Sequence, residues 1–195
     1  MFDHAEKIYA AVKQRFAQVA RAPGREKKFP VGLPSAKNIG YDPREIDALP
    51  ISVTESFCGV AKPLSLGEAC PGQAVLDVGS GPGLDSLFAA LRVGSTGKVL
   101  GVDMFLEMIE KARRSAGLLK LYNAEFLLAE IERLPLPDGS VDLVISNGVF
   151  SLCPDKLNVL AEAFCVPCGR LQMADVLLHD DVTREEVAQR GEWSD

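Results

Sequence analysis

The chain is predicted to be an α/β protein built on a mainly parallel sheet, on three observations. From Gln73 onward short apolar runs alternate with helix-like stretches. A glycine-rich turn follows the first run, and an acid closes the second. The runs are Ala74–Val78, Lys98–Val102, Glu125–Leu128, Val141–Ser146 and Arg170–Leu178, several of them β-branched. Between them lie Asp85–Arg92, Leu106–Leu118 and Pro154–Phe164, with helical spacing. Ligands of such sheets sit beyond the C-terminal ends of the strands, where strand order switches. Ahead of this unit, Ile8, Tyr9, Val12, Phe16 and Val19 predict an amphipathic helix from about His4 to Ala20. The Pro-, Gly- and Lys-rich stretch from Arg21 to Tyr41 reads as irregular. Asp42-Pro43 has the form of an N-cap and first helical proline, with a further short helix expected over Ile51–Phe57. Residues 1–72 are therefore expected to form a helical extension and cap, and residues 73–195 the ligand-binding α/β domain.

With 195 residues, 47% hydrophobic and 25% charged, the chain can bury the core of one ordinary soluble domain. A net charge of -6 and a pI near 5.1 argue against nucleic acid as a partner. The basic cluster Arg25, Lys27 and Lys28 encloses Glu26 and reads as a solvated loop. No apolar run approaches the ~18 residues of a membrane span, and the N-terminus lacks the pattern of a secretory signal. A cytoplasmic protein with no membrane partner is expected. Its five cysteines, Cys58, Cys70, Cys153, Cys165 and Cys168, then read as reduced thiols. Cys165 and Cys168 have CxxC spacing, but no second pair completes a metal site, and His4 and His179 are far apart. No metal is expected, and the CxxC pair reads as part of a turn.

The strongest signal is Val75-Leu-Asp-Val-Gly-Ser-Gly-Pro-Gly83, an apolar strand running into a glycine turn just before a helix. Glycines allow a tight reversal and let a ligand approach the backbone, and free N–H groups at the helix start suit an anion. A dinucleotide loop would put its third glycine at position 84, which is Leu84 here. Asp103 ends the second strand, twenty positions after Gly83, where a carboxylate can accept two hydrogen bonds from a ribose diol.

The spacing Gly79, Gly81, Gly83 with Asp77 upstream resembles the S-adenosylmethionine (SAM) loop of class I methyltransferases. The resemblance implies a Rossmann-like methyltransferase sheet and SAM as cofactor. It places Gly79, Ser80, Gly81 and Gly83 on the methionyl part, Asp77 toward its amino group and Asp103 on the ribose. Met104 would lie against the adenine, Glu132 and the backbone at Ile131 on the adenine edge, and Asn147 in the methyl-transfer pocket. More of the chain is similar to bacterial proteins of the arsenite methyltransferase type. The similar segments are Val12–Arg21, Gly40-Tyr41, Ser56-Phe-Cys-Gly-Val60, Pro63-Leu-Ser-Leu66, Ile145-Ser-Asn-Gly-Val149 and Cys153-Pro-Asp-Lys156.

That branch implies methyl transfer to arsenite or thiol-bound arsenic, or a similar small soft nucleophile held by thiolates, with no strong base needed. Its members hold arsenic with three cysteines. Cys58 matches the first position. At the second this chain has Gly148 and Phe150, with Cys153 nearby as the substitute, and no residue matches the third. Two alternatives stay open: a small organic acceptor, or a SAM-binding remnant without turnover of its own. The resemblance also implies a sheet lacking its last two strands, because only one short helix, Arg184–Asp195 with Trp193, is expected after strand five. The turn before that strand looks about two residues shorter than in relatives. Strand five would then be an open edge, covered by a second copy of the chain in a homodimer or by the final helix.

Overall fold

The computed structural model describes residues 2–165, 167–177 and 182. Helix α1 (Phe2–Arg21) opens the chain, followed by a one-turn helix at Pro23–Arg25. Then come α2 (Leu33–Asn38), α3 (Pro43–Ile46), α4 (Ile51–Thr54) and a turn of 3₁₀ helix at Pro63–Leu66. The alternating part runs β1 (Ala74–Val78), α5 (Leu84–Val93), β2 (Lys98–Asp103), α6 (Leu106–Leu119), β3 (Ala124–Leu128) and β4 (Val141–Asn147). A 3₁₀ turn at Phe150–Leu152, α7 (Lys156–Cys165) and β5 (Pro167–Ala174) complete it.

The five strands pair in parallel in the order β3-β2-β1-β4-β5. The order turns around at β1 and β4, so a crevice opens beyond their C-terminal ends. Helices α5 and α6 cover one face, where Val75, Leu143 and Ile145 meet Leu87, Phe88, Ile109 and Ala112. The other face carries Leu76, Val78, Val102 and Val144 against Val159 and Ala163 of α7. Burial on both faces explains why these strands read as continuous apolar runs rather than alternating ones.

The residues ahead of β1 are built into that same core. Tyr41, Ile46, Val53, Phe57 and Leu64 belong to the cluster formed by α5, α6 and one sheet face. Asp42 caps α3 by accepting from the Arg44 N–H at 2.8 Å. The stretch expected to be irregular contains α2, because Pro34 occupies an early helical position and the Gly32 carbonyl accepts from the Ala36 N–H. Conversely α4 stops at Thr54, three residues short of the expected end, and the chain turns so that the Phe57 carbonyl meets Gly32.

Strand β5 also differs from expectation, running Pro167–Ala174 rather than Arg170–Leu178. Its partner β4 sets the limit: Asn147 pairs with Ala174, and the ladder ends with it. Nor is β5 apolar throughout, since Gln172 is buried and the Arg170 guanidinium donates to the Glu68 carbonyl at 2.5 Å. Among the described residues β5 and β3 are the sheet edges. The expected terminal helix, Trp193, His179 and the side chains of Cys165 and Cys168 lie outside the described residues.

A polar cluster joins the N-terminal segment to the sheet. Tyr41 donates to Asp85 at 2.6 Å, Asn147 donates to the other oxygen of Asp85 at 3.0 Å, and Ser86 donates to Asp77 at 2.5 Å. Asp77 and Asp85 are 2% and 5% exposed, so two carboxyls share a nearly dry space. Burial, and then the charge of Asp85, push Asp77 up to about 8, and burial raises Asp85 as well. The folded chain therefore holds a proton that the unfolded chain releases near 3.8. Stability from this group is fully present below that value and is lost as pH rises toward 8. Urea unfolding at a series of pH values should show stability falling between about pH 5 and pH 8, with a distinctly smaller slope in Asp77→Asn. An equal slope in the variant would mean that Asp77 does not carry the buried proton.

Candidate active site

A cavity lies at the crevice beyond β1 and β4, the place where open parallel sheets bind small molecules. Gly79 and Gly81 form its floor. Asp103, Met104, Phe105 and Met108, from β2 and the start of α6, form one wall. Ile131 and Glu132 stand beside them, and Asn147, Gly148, Val149, Leu152 and Cys153 form the opposite wall. Cys58 enters from the N-terminal segment, and Tyr9, Val12 and Phe16 of α1 roof the cavity.

The glycine turn is stitched to the sheet by its own amides. The N–H groups of Gly79 and Ser80 both reach the Val102 carbonyl at 2.9 Å, and Gly83 donates to the Ser80 carbonyl at 2.9 Å. Gly81 donates to Asp103 at 2.9 Å, and Pro82 has no N–H to give. None of these loop amides is left for a phosphate, which sets the loop apart from a pyrophosphate cradle. Both glycines on the floor adopt left-handed backbone, with φ of 72° at Gly79 and 52° at Gly81. A Cβ at Gly79 would collide with Val149, whereas one at Gly81 would meet nothing within 4 Å. Space above Gly81 is thus left to a ligand.

Asp103 is fixed from the protein side: one oxygen accepts from Gly81 and the other from the Phe105 N–H, each at 2.9 Å. Each oxygen keeps a further lone pair, the arrangement a ribose diol requires. Burial pushes its carboxyl up to about 6 against the opposing pull of those backbone donors. Met104 and Ile131 supply apolar surface for a flat ring nearby. Glu132 accepts from the Tyr9 hydroxyl, and burial raises its pKa. These residues fit an adenosine group bearing a free ribose diol.

Both cavity thiols are held protonated. Burial, followed by the charges of Asp103 and Glu26, pushes Cys58 up to about 12. Burial, followed by the charge of Glu132, pushes Cys153 to about 12, and its Sγ donates to the Val149 carbonyl at 3.3 Å. Cys70, the other free cysteine among the described residues, is exposed and does not line the cavity.

Of the residues expected at the site, Cys58, Cys153, Gly79, Gly81, Asp103, Met104, Ile131, Glu132 and Asn147 line this one cavity. Asp77, Ser80 and Gly83 do not. Asp77 turns toward Ser86 and Asp85 behind the loop. Ser80 packs its Cβ toward Gly101, and its buried hydroxyl has no partner among the described residues. Gly83 lets α5 sit close to Phe126 and Ala112, which a Cβ would meet at 3.0–3.2 Å. The roof is what sequence reasoning missed. Its signal was present as two aromatic residues, Tyr9 and Phe16, on the apolar face of a helix outside the alternating pattern. Phe16 stacks on Phe29 at 5.9 Å and lies 6.2 Å from the Phe105 ring. Among the described residues no group of three or more His, Cys, Asp or Glu side chains is placed to hold a metal ion. No helix among them is long and apolar enough to cross a membrane.

Comparison with known proteins agrees with this geometry. Residues 70–193 match the family described as "Methyltransferase domain". The chain is 40% identical over 144 residues to an arsenite methyltransferase of Halobacterium salinarum, covering 73% of this chain and 37% of that protein. It thus spans well under half the length of that relative. Among solved structures it is similar to an arsenic(III) S-adenosylmethionine methyltransferase from Chlamydomonas reinhardtii. That match has TM-score 0.57 and 34% identity, and covers 75% of this chain and 50% of that one. A SAM-dependent methyltransferase from Aquifex aeolicus matches with TM-score 0.59 and 28% identity, covering 80% and 76%. Strand order, a ribose-ready acid beside a closed glycine turn, and the family match agree: the chain belongs to the methyltransferase-domain family and carries it on a Rossmann-like sheet.

Proposed function

We propose that this protein transfers a methyl group from SAM to arsenite or a similar small soft nucleophile held by thiols in the cofactor cavity. The observation that carries the reading is the presence of Cys58 and Cys153 in the same cavity as Asp103 and the glycine floor. The similarity to arsenite methyltransferases supports it.

When bound, the cofactor supplies an electrophilic methyl group on a sulfonium. Asp103 holds the ribose, Gly79 and Gly81 let the methionyl part approach the backbone, and Met104 and Ile131 flank the adenine. Glu132, steadied by Tyr9, faces the adenine edge. Cys58 and Cys153 capture trivalent arsenic by exchange: each thiol proton leaves with a hydroxide of the arsenous acid as water, and one As–S bond forms. A small free thiol completes the third position. Capture of this kind suits thiols that burial keeps protonated, because no thiolate has to exist beforehand. Arsenic retains its lone pair, so the wall needs no general base, and alignment in a water-poor space is what the protein adds. The roof of α1 and the apolar walls provide that space.

A second reading, methylation of a small organic acceptor, draws on the aromatic and aliphatic character of the roof and walls, from Tyr9 and Phe16 to Met108 and Leu152. SAM consumption with arsenite plus glutathione, set against a panel of small phenols and thiols, separates the two. Arsenite-independent turnover of a phenol would overturn the soft-nucleophile reading.

Titration calorimetry should show S-adenosylhomocysteine binding and NAD failing to bind. Asp103→Ala should weaken the former by about 2–4 kcal/mol, the worth of two charge-assisted hydrogen bonds. NAD bound as tightly, or unchanged affinity in the variant, would move the ribose elsewhere. Cys58→Ser should abolish arsenic-dependent turnover with cofactor affinity nearly intact, since a hydroxyl is a hard ligand that does not replace sulfur on arsenic. Cys70→Ser should behave as the parent in the same assay.

A further inference from the structure

The side chain of Asn147 is spent on the protein rather than on the cavity it borders. Its Oδ1 accepts from the N–H of Val60 at 2.8 Å and of Ala61 at 3.2 Å, and its Nδ2 donates to the Ala61 carbonyl at 2.7 Å. One amide thus pairs with the segment after Cys58 much as a neighbouring strand would, and Nδ2 also donates to Asp85. Gly59 lies so close between this amide and the Phe57 ring that a Cβ there would stand 2.7 Å from Asn147 Cγ, closer still to Nδ2, and 2.6 Å from Phe57 Cζ. Upstream of the thiol, the Phe57 carbonyl accepts from the Gly32 N–H at 2.7 Å, and the Phe57 ring meets Tyr41 edge-on at 5.5 Å. Cys58 therefore sits on the crest of a short irregular segment fixed on both sides, and its downstream anchor is a side chain from the end of β4.

We infer that Asn147 is the positioning residue of Cys58: through Val60 and Ala61 it fixes the segment that presents this thiol to the cavity, with Asp85 and Tyr41 holding the amide in place. The role rests on the reading of Cys58 as the capturing thiol only for its chemical purpose. The mechanical coupling stands on the contacts themselves. The hydrogen bonds of the Asn147 amide go to Val60, Ala61, Tyr41 and Asp85, so it orients without supplying a ligand. This role acts on the acceptor side of the cavity that Asn147 also borders.

The test is site-resolved alkylation of the 195-residue chain with iodoacetamide, read by peptide mass spectrometry at Cys58, Cys153 and Cys70. In Asn147→Ala, Cys58 should react at least about tenfold faster, equivalent to about 1.4 kcal/mol of lost restraint. Cys153, buried on the opposite wall, and the exposed Cys70 should react at the parental rate, and S-adenosylhomocysteine affinity should be unchanged. Gly59→Ala, which presses on the same contact from the other side, should also accelerate Cys58. In the Asn147→Ala background it should add less than it does alone, because the amide is gone and only the Phe57 ring, 2.6 Å from the new Cβ, is still pressed. This second variant keeps the test open if Asn147→Ala fails to fold. An unchanged Cys58 rate in both variants, or equal acceleration of Cys58 and Cys153, would overturn the inference, the latter by showing general loosening. With arsenite and SAM, Asn147→Ala should lower kcat while leaving KM for SAM in place. Parental arsenic turnover in Cys58→Ser would defeat the proposed function and leave the alkylation result to decide the clamp.

Discussion

Two carboxyls with almost no access to water must find donors, and at Asp77 and Asp85 each donor comes from a different part of the chain. Tyr41 belongs to the N-terminal segment, Ser86 to α5 and Asn147 to β4. A buried charge without partners is among the most costly features a fold can carry, so the cluster ties these three parts together wherever it forms. The segment before β1 is thereby a fixed component of the core. That is why it can bring Cys58 to the mouth of the sheet and return through Pro63–Leu66 to lie against β5.

The alternating part of the chain was legible because its rules are local. A parallel strand buried on both faces is a short apolar run, and β1 and α6 fall within a residue or so of their expected limits. Asp103 and the glycine turn were legible for the same reason, since their spacing follows from the backbone path at the end of a strand. Ser80 and Gly83 show the limit of that reasoning. Their place in the turn is given by sequence, but side-chain direction depends on Gly101 and Phe126, which only the folded sheet brings near. The end of β5 was not legible either, because its length is dictated by pairing with β4 rather than by its own apolar residues.

Asp85 shows a different kind of silence. In sequence it is an acid in the first turn of a helix, the commonest of surface residues. Yet α5 is buried through its first seven residues, and an acid within such a stretch is a sign that partners exist elsewhere. Tyr41 and Asn147, separated from it by 44 and 62 positions, supply them.

The roof has a thermodynamic meaning for the cavity below it. Helix α1 is held by Val19 and Ala20 against Met108 of α6, and by exposed pairs such as Lys13 with Glu130 and Arg21 with Glu107, which contribute little in water. It packs on the start of α6 and at the same time lines the cavity. A molecule in the cavity touches α1 and the sheet at once, so occupancy and roof docking favour each other by one and the same coupling free energy.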